Sequence, residues 1–247
     1  MKNYIYGNWK MNQTVEEVQQ FAKSFNPSEY SCEMGLAPQS IHISTLLNNL
    51  DLTKVKVGAQ NCSHETKGAF TGETSPLSLS NLGAHFVLVG HSERRQIFNE
   101  DSLILKKKLN TVLNNGLKVI FCVGETLQER ESGNAFEVIN RQLEEVIDDN
   151  HHHLDSSRLL VAYEPVWAIG TGKAATPAMA EEMHAHIRKT LTMFSQNLDK
   201  IPLLYGGSVK PENAKELLSM ENINGALIGG ASLKAESFDA ICKIASN

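Results

Sequence analysis

The sequence predicts an α/β protein, a closed (β/α)8 barrel in which eight parallel strands form the inner ring and outer helices surround it. Three observations predict this fold. Eight short apolar runs alternate with longer segments of helical periodicity. Several runs are apolar at almost every position, which suits parallel strands buried on both faces. The chain has 247 residues, about the length of one such barrel, so we expect residues 1–247 to form a single domain.

The strand predictions depend on runs such as Val119–Val123, in which no residue is charged or strongly polar. An open, doubly wound sheet is the competing arrangement. No G-x-G-x-x-G follows the first run, which weakens the dinucleotide-binding form of that sheet. The predicted strands are Tyr4–Trp9, Cys32–Ala37, Val55–Gln60, Phe86–Gly90, Lys118–Val123, Leu159–Glu164, Leu203–Gly206 and Ala226–Gly229.

The first helix is predicted by a capping box, a hydroxyl at Thr14 with Glu17 three positions later. The segment that follows has apolar residues at helical spacing, which predicts one buried stripe. The stripe is expected to consist of Val15, Val18, Phe21, Ala22 and Phe25.

Later helices are marked by their ends. Leu103–Leu113 is helical in pattern and is followed by Asn114-Asn115-Gly116, which is typical of a C-cap. Pro177–Phe194 and Pro211–Met220 each begin with proline, a residue favoured at the first helical position. The last helix is predicted over Ala235–Ile244.

Composition and charge disfavour several classes of protein. Hydrophobic residues make up 41% and charged residues 21%, a globular balance. The net charge of -5 disfavours a nucleic-acid-binding protein, which usually has a basic surplus. No stretch approaches the ~18 apolar residues of a membrane span, and residues 1–10 have no apolar core of signal-peptide length.

The four cysteines fit a reducing compartment. They contain no C-x-x-C pair, so a zinc or redox motif of that type is absent. A chain of this size does not need disulfides, and we expect reduced thiols in a cytoplasmic protein. Cys62, Cys122 and Cys242 are expected to be small core hydrophobes.

Polar side chains follow several predicted strands at the ends where barrel enzymes carry their active sites. Asn8 and Lys10 stand at the end of the first strand, His91-Ser92-Glu93 follows the fourth, and Glu164 ends the sixth. Each of these residues taken alone is more often a structural or solvated group than a functional one. Together they bring a cation, an imidazole and a carboxylate to one rim.

Glycine-rich turns follow the last two strands, Gly206-Gly207-Ser208 after the seventh and Gly229-Gly230 after the eighth. Glycine lets backbone N–H groups approach an anion closely, and a following helix adds a favourable dipole. Loops after strands seven and eight are the recurrent phosphate site of this fold. The residues therefore predict a small phosphorylated substrate.

Four segments, in order along the chain, resemble the motifs of triosephosphate isomerases. One short motif would be a weak signal, but four in the family's order, each at the expected strand end, are specific. The similarity covers essentially the whole chain. The segments are Gly7–Asn12, Gly90–Arg95, Ala162–Lys173 and Tyr205–Val209.

The resemblance implies a TIM-barrel enzyme of glycolysis and gluconeogenesis that interconverts dihydroxyacetone phosphate and glyceraldehyde 3-phosphate through an enediolate, without cofactor or metal. Glu164 would be the general base and His91 a neutral electrophile, and this family is itself the standard example of that pairing. Ser92 and Glu93 could open a helix whose partial positive charge disfavours the imidazolium form of His91. Lys10 would stabilise the enediolate oxygens.

The resemblance also assigns supporting roles. Asn8 would assist Lys10 at the enediolate, and Glu93 would act on the site through Lys10. Phosphate would be held by backbone N–H groups near Gly170, Ser208, Gly229 and Gly230.

A mobile lid is implied over Val166–Ala175, with Pro165 stiffening its entrance. Ala174 departs from the family pattern, in which threonine is expected, and this change touches no catalytic group. Met11 and the segment Lys67–Glu73, which contains Thr71, resemble dimer-interface elements. The resemblance therefore implies a homodimer.

Other functions weigh less. A Schiff-base aldolase needs a lysine buried in mid-strand, and a metal-dependent relative needs clustered ligands at strand ends; neither pattern is found. A non-catalytic scaffold would not need Lys10, His91 and Glu164 together. His151–His153 is expected to be a solvated loop, and His184 and His186 are two residues apart on a helix, a poor metal pair.

Overall fold

A computed structural model of the chain describes residues 3–147, 154–168 and 175–247. Within those ranges eight strands alternate with helices. The strands are β1 (Tyr4–Asn8), β2 (Glu33–Ala37), β3 (Val55–Val57), β4 (Phe86–Val89), β5 (Lys118–Val123), β6 (Leu159–Tyr163), β7 (Leu203–Tyr205) and β8 (Gly225–Ile228). The α-helices are α1 (Val15–Ser24), α2 (Ile43–Asn49), α3 (Pro76–Leu82), α4 (Ser92–Gln96), α5 (Ser102–Asn114), α6 (Leu127–Glu131), α7 (Ala135–Val146), α8 (Pro177–Phe194), α9 (Pro211–Leu218) and α10 (Ala235–Ala245).

The strands form one parallel sheet that curves into a barrel. Hydrogen-bonded neighbours follow the order β3-β2-β1-β8-β7-β6-β5-β4. A parallel bridge between Ala59 and Val87 joins the two ends of that order, with the N–H of Ala59 donating to Phe86 and the N–H of Leu88 donating to Ala59, both at 2.9 Å. The predicted (β/α)8 barrel is confirmed, and the carboxyl ends of all eight strands face one rim.

The predicted strands run past the observed ones at this rim. Residues such as Trp9, Gln60 and Glu164 continue the apolar runs or follow them directly, but they leave the sheet ladder. They leave it because the chain must turn there to enter each loop. The predicted strands were therefore too long at their carboxyl ends, and the residues wrongly included in them form the rim.

The barrel interior is filled by side chains, and Tyr6 is its largest member at the amino-terminal end. Its ring meets Phe86 edge-on, with centroids 4.8 Å apart. Its hydroxyl donates to Glu33 at 2.5 Å, and the Lys118 ammonium lies 3.1 Å from the same carboxylate oxygen. Gly35 makes room for the ring, since a Cβ there would lie 2.4 Å from two of its atoms.

The helices pack on the outside of the sheet. The capping box of α1 is present, with Thr14 accepting from the N–H of Glu17. Val18 and Phe21 are buried as predicted, but Val15 is 46% exposed, so its place in the buried stripe was wrong. Val15 lies at the helical angle of the buried stripe. It is the first residue of α1, at the end of the region that packs on the barrel, and its side chain is therefore exposed.

Helix ends agree with the predicted signals. Gly116, just past α5, has φ +76, the left-handed conformation that favours glycine. α8 has the predicted bounds, while α9 ends at Leu218 and not at Met220. In the part of the chain that the structure describes, no helix is long and apolar enough to cross a membrane. All four cysteines are buried, which confirms the prediction for Cys62, Cys122 and Cys242.

His184 and His186 on α8 face different partners. The fully buried His184 ring lies 5.6 Å from the ring of Tyr163, and its Nδ1 bonds the carbonyl of Ala180 at 2.7 Å. Burial lowers the pKa of His184 to about 4. The Nε2 of His186 instead lies 2.8 Å from Oδ1 of Asn140 on α7. The pair therefore shares no site, as predicted.

Gly35→Ala should destabilise the fold by about 1–3 kcal/mol, the usual cost of overpacking a filled core. The added methyl meets a Tyr6 ring whose hydroxyl is held by Glu33. Urea unfolding followed by circular dichroism measures the loss. Tyr6→Leu in the same background should recover part of it, because the clashing ring atoms are gone. Wild-type stability for Gly35→Ala would contradict this packing.

His184 should make the fold sensitive to acid. Its pKa is about 6.5 in the unfolded chain and about 4 in the fold, so the unfolded state binds more protons between these values. The free energy of unfolding therefore falls as the pH falls through this window. The free energy of unfolding of the wild type falls between about pH 7.5 and about pH 5, and in His184→Leu this fall should be smaller by about 2 kcal/mol. Urea midpoints at both pH values test this, and an unchanged pH dependence in the variant would refute it.

Candidate active site

The carboxyl ends of five strands surround one cavity of about 830 Å³. Asn8, Lys10, His91 and Glu164 line it together with the turns that follow β7 and β8. Residues from near both ends of the chain, such as Asn8 and Gly230, thus meet at one place. The predicted convergence is observed, while the chemical role of each residue remains a prediction.

Glu164 follows β6 and carries a carboxylate that is only 2% exposed. Its Oε2 accepts from the backbone N–H of Ser92 at 2.9 Å, and its Oε1 lies 3.0 Å from Nε2 of His91. Burial and the neighbouring Glu164 charge raise the pKa of the Cys122 thiol, which therefore keeps its proton and can donate to the carboxylate. These donors compensate a charge that would otherwise be costly to bury.

Two glycines fix the space around Glu164. A Cβ on Gly206 would lie 2.8 Å from Cγ of Glu164, and a Cβ on Gly124 would lie 1.8 Å from its carbonyl oxygen. Gly206 was predicted only as part of a phosphate turn. Gly124 was not considered, although a glycine directly after a barrel strand was a signal that could have identified it.

His91 is the N-cap residue of α4. Its Nδ1 accepts from the backbone N–H of Glu93 at 3.2 Å. A ring nitrogen that accepts carries no proton, so this contact fits the tautomer with its proton on Nε2, although Oε2 of Glu93 lies 3.7 Å from the same Nδ1. That proton faces Glu164 and the cavity. The geometry supports the neutral form that the family resemblance implies.

Lys10 has φ +51, a left-handed conformation that is uncommon outside glycine. Its Nζ pairs with Oε1 of Glu93 at 2.6 Å, and its N–H donates to Oδ1 of Asn8 at 3.1 Å. The side-chain amide of Gln60 donates to the Lys10 carbonyl at 2.8 Å and to that of Ala37 at 2.9 Å. These contacts hold a conformation that costs about 1–3 kcal/mol.

Gln60 is therefore a supporting residue that sequence reasoning missed. It was predicted only as the last residue of the third strand, and a polar residue at a strand end gives no sign of which loop it will bond. Ser92 was predicted as a supporting residue, and its contact with Glu164 is made by its backbone N–H.

Ser208, Gly229 and Gly230 line the same cavity as the carboxylate. A Cβ on Gly229 would lie 3.9 Å from Cε of Lys10, so the eighth turn is next to the ammonium side chain. Among the described residues, no atom other than those of its chain neighbours lies within 4 Å of the position of a Cβ on Gly230, where a short 3-10 helix begins. This backbone is open to the cavity and can approach an anion closely.

Ser232 holds the eighth turn in place from below. Its buried hydroxyl bonds the carbonyls of Gly229 at 2.7 Å and Ile228 at 3.0 Å, and its own carbonyl accepts from Nε1 of Trp9 at 3.0 Å. Gly7 permits this contact, because a Cβ there would lie 2.8 Å from Cβ of Ser232. The sequence patterns gave no indication of this connection between the first and eighth strand ends.

Part of the predicted lid lies outside the described residues, and so does the predicted phosphate contact of Gly170. Ala174 and His151–His153 also lie outside them. The lid entrance is described: Val166–Ala168 forms a 3-10 turn, and Nε1 of Trp167 donates to the buried carboxylate of Glu125 at 2.9 Å.

The alternative chemistries find no matching site among the described residues. No group of three His, Cys, Asp or Glu side chains could hold a metal ion in those ranges. Lysines occur in the strands at Lys56 and Lys118, and both bond groups at the amino-terminal end of the barrel, away from the cavity. Neither strand lysine therefore presents its amine to the cavity.

The arrangement is suited to proton transfer at carbon. A carboxylate with two engaged oxygens stands beside a neutral imidazole donor, and an ammonium group lies across the same cavity. The carboxylate can act as a base, while the N–H and ammonium donors can stabilise an oxyanion that forms next to the deprotonated carbon.

Comparisons with known proteins agree with this chemistry. A family model described as triosephosphate isomerase matches residues 3–245. A protein named triosephosphate isomerase from Porphyromonas gingivalis is 45% identical over 243 residues, 96% of each chain. The protein of that name from Bacteroides fragilis is 44% identical over 246 residues, 97% of each chain. A third, from Leptospira interrogans, is 45% identical over 248 residues, 96% of this chain and 98% of that protein.

Proposed function

The chain belongs to the triosephosphate isomerase family, and we propose that it interconverts dihydroxyacetone phosphate and D-glyceraldehyde 3-phosphate by proton transfer through an enediolate. One observation carries the proposed mechanism: Glu164, His91 and Lys10 meet in a single cavity bounded by glycine turns. This activity would place the enzyme in glycolysis and gluconeogenesis.

Substrate binding begins at the phosphate. Backbone N–H groups at Ser208, Gly229 and Gly230 hold the dianion. This grip is remote from the reacting carbons, but its binding energy can be used to close and order the site. The open backbone at Gly230 and the position of Gly229 beside Lys10 support this assignment.

Glu164 is the proposed general base. It takes the proton from one carbon of the substrate and returns it to the neighbouring carbon, so the reaction balances with no oxidant, reductant or cofactor. In the structure its oxygens are engaged by Ser92 and His91. The carboxylate must leave these partners to reach the substrate carbon, which makes its exact position important.

His91 and Lys10 act on oxygen. The Nε2–H of the neutral His91 ring donates to the substrate carbonyl and moves protons between the two oxygens of the enediolate. Lys10 and Asn8 stabilise the negative charge that develops there. Glu93 orients Lys10 through its 2.6 Å ion pair and keeps Nδ1 of His91 engaged through its backbone N–H.

A homodimer is also proposed, on a face that carries exposed apolar residues. Met11 is 86% exposed and Phe98 is 59% exposed. Both line a second cavity of about 500 Å³ that reaches Lys10 and His91. Residues 67–73 all project into solvent nearby, which fits a loop that would enter this cavity in a second copy of the chain.

A cytoplasmic location is proposed as well. The four cysteines are buried thiols, and thiols of this kind persist in a reducing compartment. The net charge of -5 and the small phosphorylated substrate give no reason to expect nucleic acid or membrane as a partner.

A coupled assay with glyceraldehyde 3-phosphate tests the proposed function. We expect the wild type to turn over substrate in the presence of EDTA without added nucleotide. The kcat of Glu164→Gln should be at least ~10²–10⁴-fold lower, because its amide cannot accept the proton. Glu145→Gln, a surface change on α7, is the matched control and should keep wild-type activity. No turnover by the wild type would favour a scaffold, and a Glu164→Gln rate within about threefold of wild type would place the base elsewhere.

Sedimentation tests the dimer. The wild type should sediment at twice the chain mass of 27.3 kDa. Met11→Asp should shift it toward the monomer, because it places a charge in an apolar contact. Met193→Asp, at a residue on α8 that is 72% exposed, should leave the dimer intact. A monomeric wild type at micromolar concentration would contradict the proposal.

A further inference from the structure

Gln142 on α7 forms a pair of hydrogen bonds with the backbone of Gly124. The N–H of Gly124 donates to Oε1 of Gln142 at 2.9 Å, and Nε2 of Gln142 donates to the carbonyl of Gly124 at 3.0 Å. A glutamine amide presents the same donor and acceptor as a peptide group. One side chain on an outer helix thus satisfies both polar groups of a residue in the rim.

Gly124 needs such a partner because the sheet ends there. The ladder between β5 and β6 stops at Val123 and Tyr163, and the N–H of Glu164 makes the next bond, to the Val123 carbonyl at 2.8 Å. At Gly124, one residue further along, the Gln142 side chain makes the hydrogen bonds that a neighbouring strand would otherwise make. Gln142 therefore extends the order of the sheet by one residue at the rim.

Gly124 is in direct contact with the backbone of Glu164. A Cβ on Gly124 would lie 1.8 Å from the carbonyl oxygen of Glu164 and 3.3 Å from its Cβ. The next residue continues the contact, since the Glu125 carbonyl accepts from the N–H of Val166 at 3.2 Å. A displacement of Gly124 would therefore move the backbone that carries the Glu164 carboxylate.

Packing alone does not fix this part of the rim. A cavity of about 140 Å³ lies between Gly124, Gln142, Ser92 and Glu164. On that side the loop is held by hydrogen bonds and not by close-packed neighbours, so the loss of the Gln142 amide would leave room for the loop to shift.

We propose that Gln142 is a positioning residue for the catalytic carboxylate: through its two bonds to Gly124 it sets the place of Glu164. The inference rests on the proposed role of Glu164 as the base. No residue of α7 lines the main cavity. The inference nevertheless gives this helix an influence on the rate of the reaction.

The test is Gln142→Leu, which keeps an apolar side chain at this position and removes both bonds. We expect kcat to fall by roughly 10-fold or more, since small misplacements of a reacting group are costly in rate. KM should stay within about twofold, because the phosphate grip lies on β7 and β8. The isotope effect on kcat with substrate deuterated at the abstracted carbon should rise, because proton transfer becomes the slow step.

Asn140→Leu is the matched control on the same helix. Asn140 also makes two side-chain bonds, accepting from His186 and Thr190 on α8, both at 2.8 Å. Its loss should lower the melting temperature about as much as Gln142→Leu while leaving kcat and the isotope effect unchanged. If the two variants change kcat equally, Gln142 is only structural and the proposal is overturned.

Gln142→Glu supplies a pH-dependent rescue. The ionised carboxylate can accept from the N–H of Gly124 but repels its carbonyl, whereas the protonated acid can make both bonds. The activity of this variant relative to wild type, compared at each pH, should therefore rise as the pH falls. A ratio that does not change with pH overturns the proposal.

The outcomes separate this inference from the proposed function. An active wild type, an inactive Glu164→Gln and a Gln142→Leu variant with wild-type kcat would overturn the inference and leave the function standing. A wild type without isomerase activity, or a fully active Glu164→Gln, would overturn the proposed function itself.

Discussion

A negative charge buried at the end of β6 is the constraint on which most of the site depends. Glu164 is almost completely removed from water, so each carboxylate oxygen needs a donor inside the protein. The chain supplies the Ser92 N–H and the Nε2 of His91. It also leaves side chains off positions 124 and 206, where a Cβ would collide with Glu164. The carboxylate, the fourth loop and two glycines therefore form one unit.

The cationic side of the site is held in a related way. Lys10 adopts a left-handed backbone that a lysine would not choose alone. Asn8 and Gln60 bond its backbone, and Glu93 holds its ammonium group. Glu93 also occupies Nδ1 of His91 through its N–H, so one residue fixes both the cation and the tautomer of the imidazole. Local strain at Lys10 is maintained by its near neighbour Asn8 and by contacts from two other segments.

The two ends of the barrel have different tasks. At the amino-terminal end, Tyr6, Glu33 and Lys118 form a compact polar network next to a filled interior. At the carboxyl-terminal end the strands stop early and the polar residues that follow them face a cavity. The amino-terminal ends of the strands thus contribute to stability, and their carboxyl-terminal ends form the binding site.

The sequence by itself determined the barrel, the order of its elements and the residues Asn8, Lys10, His91 and Glu164, because alternating apolar runs and residues at strand ends are local features of the chain. It could not reveal Gln60, Ser232 or Gln142. Their contributions are bonds between side chains and distant backbone groups, and such bonds depend on which loops the closed barrel places side by side. Only the tertiary structure decides those neighbours, since a hydrogen bond requires its donor and acceptor to lie within about 3 Å of each other.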